Sequence, residues 1–264
     1  MLFSRLKQPT INATKRLAST ATSIPLRDAK LYKPRVYKYT HEVTSANLVS
    51  YSKPSDAIKA NDVDTLEDLV AYCARVSNPT NQNNKTTNKK LLNYLIKNNH
   101  WSPFETVSAC VEINAPRDIA RQILRHRSFS FQEFSQRYAD PTRDMTFVLR
   151  DPRKQDLKNR QNSIVVEDIE LHDEWFDSQV NIINNALDAY QYAITRGIAK
   201  EQARAVLPEG NTMSRIYMNG TLRSWMHYID LRTANGTQQE HMNIAKYCAN
   251  ALSPIFPMFP MTSV

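Results

Sequence analysis

The chain has 264 residues, 41% hydrophobic and 23% charged, enough to bury a large core as one domain or at most two. Its net charge of +8 favours anionic partners such as nucleotides, cofactor phosphates or nucleic acid, and no apolar run approaches the roughly 20 residues that span a bilayer. Only four glycines are present (Gly197, Gly210, Gly220, Gly236), so neither GxGxxG nor GxxxxGK[ST] can be assembled, and any phosphate must be held by side chains.

Residues 1–27 contain no acidic residue but carry Arg5, Lys7, Lys15, Arg16 and Arg27 among several Ser and Thr. That composition is what a mitochondrial transit peptide looks like, and a disordered basic tail is the plainer reading. We take residues 1–42 as a basic extension and 43–264 as a single domain, with a first strand over Val43 to Tyr51. Three cysteines (Cys73, Cys110, Cys248), odd in number and set in apolar surroundings, read as buried free thiols of a reducing compartment. A cytoplasmic location follows, with the mitochondrion as the alternative. The six histidines form no HxxxH or Cys/His pair, so no metal site is expected.

Residues 65–76 read as an amphipathic helix, with Thr65 and Asp68 as its capping box. An Asn-rich, solvated loop over 78–88 leads to a short helix, 89–97, whose Leu91, Leu92, Leu95 and Ile96 face inward. His100 to Glu105 is a polar-aromatic turn, and 106–113 alternates as a half-buried strand. Pro116 suits the first position of the next helix.

That helix opens the densest stretch, residues 117–138, with five arginines: Arg117, Arg121, Arg125, Arg127 and Arg137. Ile119, Ile123 and Leu124 make its apolar stripe, while Arg117, Arg121 and Arg125 recur every four residues. Like charges so spaced repel and call for an anionic partner. After Arg127 the period changes, and Glu133, Ser135 and Arg137 read as a comb on an extended segment. Forked guanidinium donors suit a phosphate, and Glu133 can accept from a ring or sugar group. A solvated basic face is the plain alternative.

Residues 139–165 are polar and basic, a loop or a strand-bearing excursion. A long helix runs from Asp168 to Arg196 with Gly197 ending it, its Trp175, Ile182, Ile183, Leu187 and Tyr190 serving core or subunit interface. A short helix over 201–207 places Arg204 among small apolar residues, either in a structural ion pair or facing an anionic ligand. Residues 221–232 put Leu222, Trp225, Met226 and Ile229 on one helical face and Arg223 and His227 on another. Thr237 and Glu240 read as a capping box for a last helix.

Arg125-His126-Arg127, seven residues, then Ser135, with Arg137 and Tyr138 just after, resembles the signature of the flavin-dependent thymidylate synthases. The His100-to-Glu105 block and the Ala-Arg-x-Val-Leu-Pro block at Arg204 match in the correct order, so the resemblance spans roughly residues 45 to 255. Thr106 stands where relatives usually carry histidine, and Thr221 where they often carry asparagine, with Asn219 two residues earlier. The resemblance implies an α+β fold with a central, largely antiparallel sheet flanked by helices, and a homotetramer with active sites where subunits meet. It implies a methyltransferase of nucleotide biosynthesis that converts dUMP to dTMP, with methylenetetrahydrofolate as carbon donor and NADPH-reduced FAD as hydride source. It assigns Gln122, Arg125, Glu133, Ser135, Arg137, Arg204 and Arg232 to dUMP. Ser102, Arg125, His126, Arg127, Glu133, Arg223 and His227 go to FAD, with Arg232 activating the pyrimidine and Ser135 positioning it. Two other readings compete: a relative that binds flavin and nucleotide without synthase activity, and a basic nucleic-acid-binding protein. Against the latter, Glu133 and Ser135 interrupt the basic stretch.

Overall fold

The computed structural model describes residues 39–41, 44–144 and 146–259; the acid-free segment and its targeting reading lie outside them. The described strands are β1 (Tyr39–His41), β2 (Ser45–Tyr51), β3 (Ser108–Pro116), β4 (Ser130–Glu133), β5 (Phe147–Leu149), β6 (Arg153–Gln155), β7 (Ser163–Val165) and β8 (Met213–Thr221). The described helices are α1 (Asp56–Lys59), α2 (Leu66–Ala74), α3 (Asn88–Lys97), α4 (Arg117–Ile123), α5 (Pro141–Asp144), α6 (Ile169–Thr195), α7 (Lys200–Ala203), α8 (Leu222–Thr233) and α9 (Gln239–Leu252).

The α+β expectation holds. Strands β2, β3, β8 and β4 pair in that order as a wholly antiparallel sheet. β3 alternates because one face is buried: Ala109, Val111, Ile113 and Ala115 point into the core, while Glu112 and Asn114 face the other way. Helices α2, α3, α4, α8 and α9 supply the opposing apolar side chains, with Trp225 fully buried and its Nε1 donating to the Ala109 carbonyl at 3.0 Å. The end of the presumed extension is ordered as β1, which pairs in parallel with the buried β5.

Local signals held where side-chain chemistry is local. Thr65 and Asp68 form the capping box of α2. Asp168 caps α6, and Gly197 ends it at φ 77°, a conformation that favours glycine. Long-range packing overrode others. Pro116 is the last residue of β3 and caps α4 instead of entering it. The comb over Glu133, Ser135 and Arg137 is broken: β4 ends at Glu133, and the Ser135 carbonyl closes a turn by accepting from the Tyr138 and Ala139 amides. Thr237 does not cap α9, and Glu240 is buried in an ion pair with Arg153 at 2.5 Å. The Asn-rich loop is not wholly solvated, because Asn88 is buried between Arg75 and Asp68. Cys248 is buried as expected, but Cys73 and Cys110 are only half-buried. On α6, Ile183, Leu187 and Tyr190 join the interior, whereas Trp175 and Ile182 are exposed.

Candidate active site

The Arg125–Arg127 segment is a tight turn between α4 and β4. The Arg125 and His126 amides donate to the Gln122 and Ile123 carbonyls, and the Phe129 amide closes the turn on the His126 carbonyl. Phe129 anchors it from behind. Its ring lies against Gly220 of β8, so closely that a Cβ there would overlap it, and edge-on to Trp225. Glycine is therefore required at residue 220 by close approach alone.

Three groups of expected site residues come together separately. In the first, Arg232 at the C-terminal end of α8 donates from Nε to His126 Nε2 at 2.9 Å. The imidazole must accept there, so Nδ1 carries its hydrogen. Burial, then the charge of Arg232, pulls the His126 pKa down to about 4, which keeps it an acceptor at neutral pH. The ring stands edge-on to Tyr228, with centroids 4.9 Å apart. Gln122 lies one element away, its amide bonded to Gln238 and His241.

In the second group, Ser102 opens the single helical turn Ser102–Glu105 on the surface. Arg223, in the first turn of α8, forms an ion pair with Glu105, and its Nε lies 3.5 Å from His227 Nε2. Trp101 packs against the His227 ring at 4.6 Å between centroids. Thr106, where relatives usually carry histidine, instead closes this turn by donating from its hydroxyl to the Pro103 carbonyl at 2.7 Å. Thr221 is likewise structural: it caps α8 by accepting from the Ser224 amide. α8 joins the two groups, since Arg223 and Arg232 are separated by roughly 14 Å along its axis at 1.5 Å per residue.

The third group gathers around Glu201. Arg137 pairs with its carboxylate at 3.2 Å, and Arg204 Nε donates to its backbone carbonyl at 3.3 Å. Ser135 accepts from the Arg137 amide at 3.3 Å. No hydrogen bond or ion pair among the described residues ties this group to the other two.

Glu133 stands apart. Arg121 donates to it at 3.3 Å, Ser214 donates to it at 3.0 Å, and the buried Arg117 lies 3.4 Å away; Glu209 completes the set, 3.3 Å from Arg117 and 3.5 Å from Arg121. The anion that α4 calls for is therefore supplied from within the chain for its first two arginines. Arg125 and Arg127 are exposed and make no ion pair among the described residues.

Those two guanidinium groups, with Arg223 at the start of α8, fit an extended anionic cofactor such as FAD in a chain without a glycine-rich phosphate loop. Sequence reasoning missed Trp101, Tyr228, Gln238 and His241. The helical pattern shows only that residue 241 shares the buried face of α9 with residues 245, 248 and 252, not that it has a role at the site.

A family model described as thymidylate synthase complementing protein matches residues 60–258. A probable flavin-dependent thymidylate synthase of Paramecium bursaria Chlorella virus 1 is 47% identical over 220 residues, 81% of this chain and 95% of that protein. A flavin-dependent thymidylate synthase of Synechocystis sp. is 44% identical over 210 residues, 79% of this chain and 94% of that one. In structure, the UMP/dUMP methylase PolB of Streptomyces cacaoi, bound with 5-Br dUMP, superposes with a TM-score of 0.69 at 25% identity, covering 86% of this chain and 100% of that one. With its arginine turn, its antiparallel sheet and these matches, the chain belongs to the thymidylate synthase complementing protein family, that of the flavin-dependent thymidylate synthases.

Proposed function

We propose that residues 43–264 are the catalytic unit of an FAD-dependent thymidylate synthase that methylates dUMP to dTMP. The observation that carries this reading is the 2.9 Å bond between Arg232 and His126, which unites two blocks 106 residues apart at the unpaired arginine turn. Bound FAD, reduced by NADPH, supplies the hydride, and methylenetetrahydrofolate supplies the carbon.

The chain's own part is placement and electrostatics. Arg125 and Arg127 hold the cofactor's phosphates, joined by Arg223 as the cofactor displaces its exposed pair with Glu105, with Ser102, His126, His227 and Glu133 around them. Arg137 and Arg204 take the dUMP phosphate dianion, which displaces the Arg137–Glu201 pair, an exposed contact of little energetic weight. Gln122, Arg125, Glu133 and Ser135 surround the rest of the nucleotide. Glu133 is held for this by Arg117, Arg121 and Ser214. Arg232 faces the pyrimidine and stabilises negative charge on the ring as its C5 becomes nucleophilic. Accepting from its Nε, the neutral His126 fixes the guanidinium without cancelling its charge. Ser135 positions the nucleotide; no imidazole, carboxylate or amine among the described residues hydrogen-bonds its hydroxyl to make it a nucleophile. Exposed Trp175 and Ile182 on α6 support a homotetramer, because both sit on a helix whose other face is already buried.

The test is a visible absorption spectrum of the purified protein, before and after NADPH, with and without dUMP. Flavin bands that bleach with NADPH, faster with dUMP, followed by dTMP formation, are expected. A protein that cannot be reconstituted with FAD would overturn the reading.

A further inference from the structure

Behind Gln122 and Arg232 runs a buried polar chain. His241, fully shielded from solvent on α9, has Nδ1 3.2 Å from Gln122 Oε1 and Nε2 3.2 Å from the Tyr228 hydroxyl. Gln122 Nε2 in turn donates to Gln238 Oε1 at 2.8 Å. With the Gln122 amide oxygen placed on the His241 side, one proton arrangement satisfies this geometry. An amide oxygen can only accept, so His241 Nδ1 carries the hydrogen. A neutral imidazole has a single N–H, so Nε2 accepts and the Tyr228 hydroxyl donates. Both groups stay neutral. Burial, then the charge of Arg232 and the neighbouring His126, pulls the His241 pKa down to about 3, and burial pushes the Tyr228 phenol well up.

The chain therefore has a direction, from Tyr228 through His241 to Gln122. It holds the Gln122 amide with its oxygen on the buried His241 and its nitrogen turned away from that ring, with one N–H spent on Gln238. The second N–H makes no further hydrogen bond among the described residues. We infer that Tyr228 and His241 are positioning residues that lock the Gln122 amide nitrogen outward, so that Gln122 donates to a carbonyl oxygen of the pyrimidine of dUMP. A freely turning amide would present its oxygen to that carbonyl half of the time, and two acceptors facing each other repel.

This inference rests on the reading of Gln122 as a dUMP contact, so dUMP affinity is measured by calorimetric titration of the full-length flavoprotein, apart from turnover. A chain that bound dUMP but made no dTMP would sink the synthase reading and leave the positioning question open to the same titration. His241→Leu is expected to weaken dUMP about tenfold, the loss of one well-made hydrogen bond. Flavin content and the KM for NADPH should hold. His241→Asn, whose amide can donate from the place of Nδ1, is expected to restore most of the affinity. Tyr228→Phe, which keeps the packing ring, should weaken dUMP severalfold and carries the test if the leucine variant does not fold. Unchanged dUMP affinity in both His241→Leu and Tyr228→Phe would overturn the inference. So would an equal loss of flavin and dUMP that His241→Asn does not repair, which marks a merely structural histidine. Gln122→Ala binding dUMP as tightly as the parent chain would overturn it together with the assignment of Gln122.

Discussion

Arg117 and Arg121 differ from Arg125 and Arg127 in one respect: among the described residues, carboxylates neutralise the first two and not the last two. Glu133 and Glu209 lie within 3.5 Å of the first two, and Arg117 is buried among them. Arg125 and Arg127, one turn further along, stand exposed without a carboxylate among the described residues. A repeated arginine is thus two different things depending on what the sheet brings opposite it. Glu133 on β4, held by Ser214 of the neighbouring β8, reaches back to Arg117 and Arg121 of α4 but not past its end. The neutralised pair builds the scaffold; under the proposed function, the other pair is the one that meets a ligand's phosphates.

The largest effect should come from the scaffold half. Arg117→Ala strips a buried cation from Glu133, whose side chain is only 18% exposed. A loss of roughly 3 kcal/mol in urea denaturation is expected. Arg127→Ala should leave the denaturation midpoint in place and instead lower the flavin retained on purification, since no carboxylate among the described residues pairs with it. If the two variants behaved alike, the division between scaffold and ligand arginines would be wrong.

Next comes Arg232→Ala, which removes charge stabilisation at the pyrimidine. Single-turnover dTMP formation should fall about a hundredfold, or ~2.7 kcal/mol, with flavin content kept. Normal turnover in that variant would end the ring-activation role.

Acid probes the imidazoles behind the unpaired arginines. Burial, then Arg232 and His126, lowers His241 to about 3 in the folded chain, against 6.5 when unfolded. The unfolded state binds the proton first, so stability is fully present above pH 6.5 and declines as pH falls toward 3. Between pH 7 and pH 5 this one group should cost on the order of 2 kcal/mol, read as a falling urea midpoint. His241→Leu should flatten that part of the profile; an unaltered slope would remove His241 as its source.

The smallest effect is expected at Arg121, whose side chain is 49% exposed although it contacts the same two carboxylates as Arg117. Arg121→Ala should shift stability by less than about 1 kcal/mol, because solvent screens exposed pairs. A larger shift would show that the carboxylates depend on both arginines together.

Legibility followed the range of the interactions. The capping box at Thr65 and Asp68, the glycine stop at Gly197 and the alternation of β3 involve neighbours in sequence, and all were readable before any fold was known. The capping box read at Thr237 and Glu240 failed because Arg153, 87 residues away, captures the glutamate. The comb after Arg127 failed because the backbone leaves β8 after the Phe134 amide bonds the Arg215 carbonyl, and turns at Ser135. Of the site, the arginines and His126 stood out by type and spacing. His241, Tyr228 and Gln238 did not, since nothing in a helical pattern distinguishes a buried histidine in a hydrogen-bonded chain from an ordinary core residue.

Sequence by itself therefore determined the amphipathic helices, the half-buried strands and the supply of cations for an anionic ligand, because hydrophobic period and residue type are local properties. The antiparallel α+β arrangement was implied only by the family resemblance. Tertiary structure alone decided which cations remain available. Whether an arginine is spent or free depends on which carboxylates the sheet and the helix ends place within about 4 Å of it, since exposed charges further apart are screened by water and salt. By the same rule it set the direction of the Gln122 amide, through Tyr228 and His241, which reach it from two other helices.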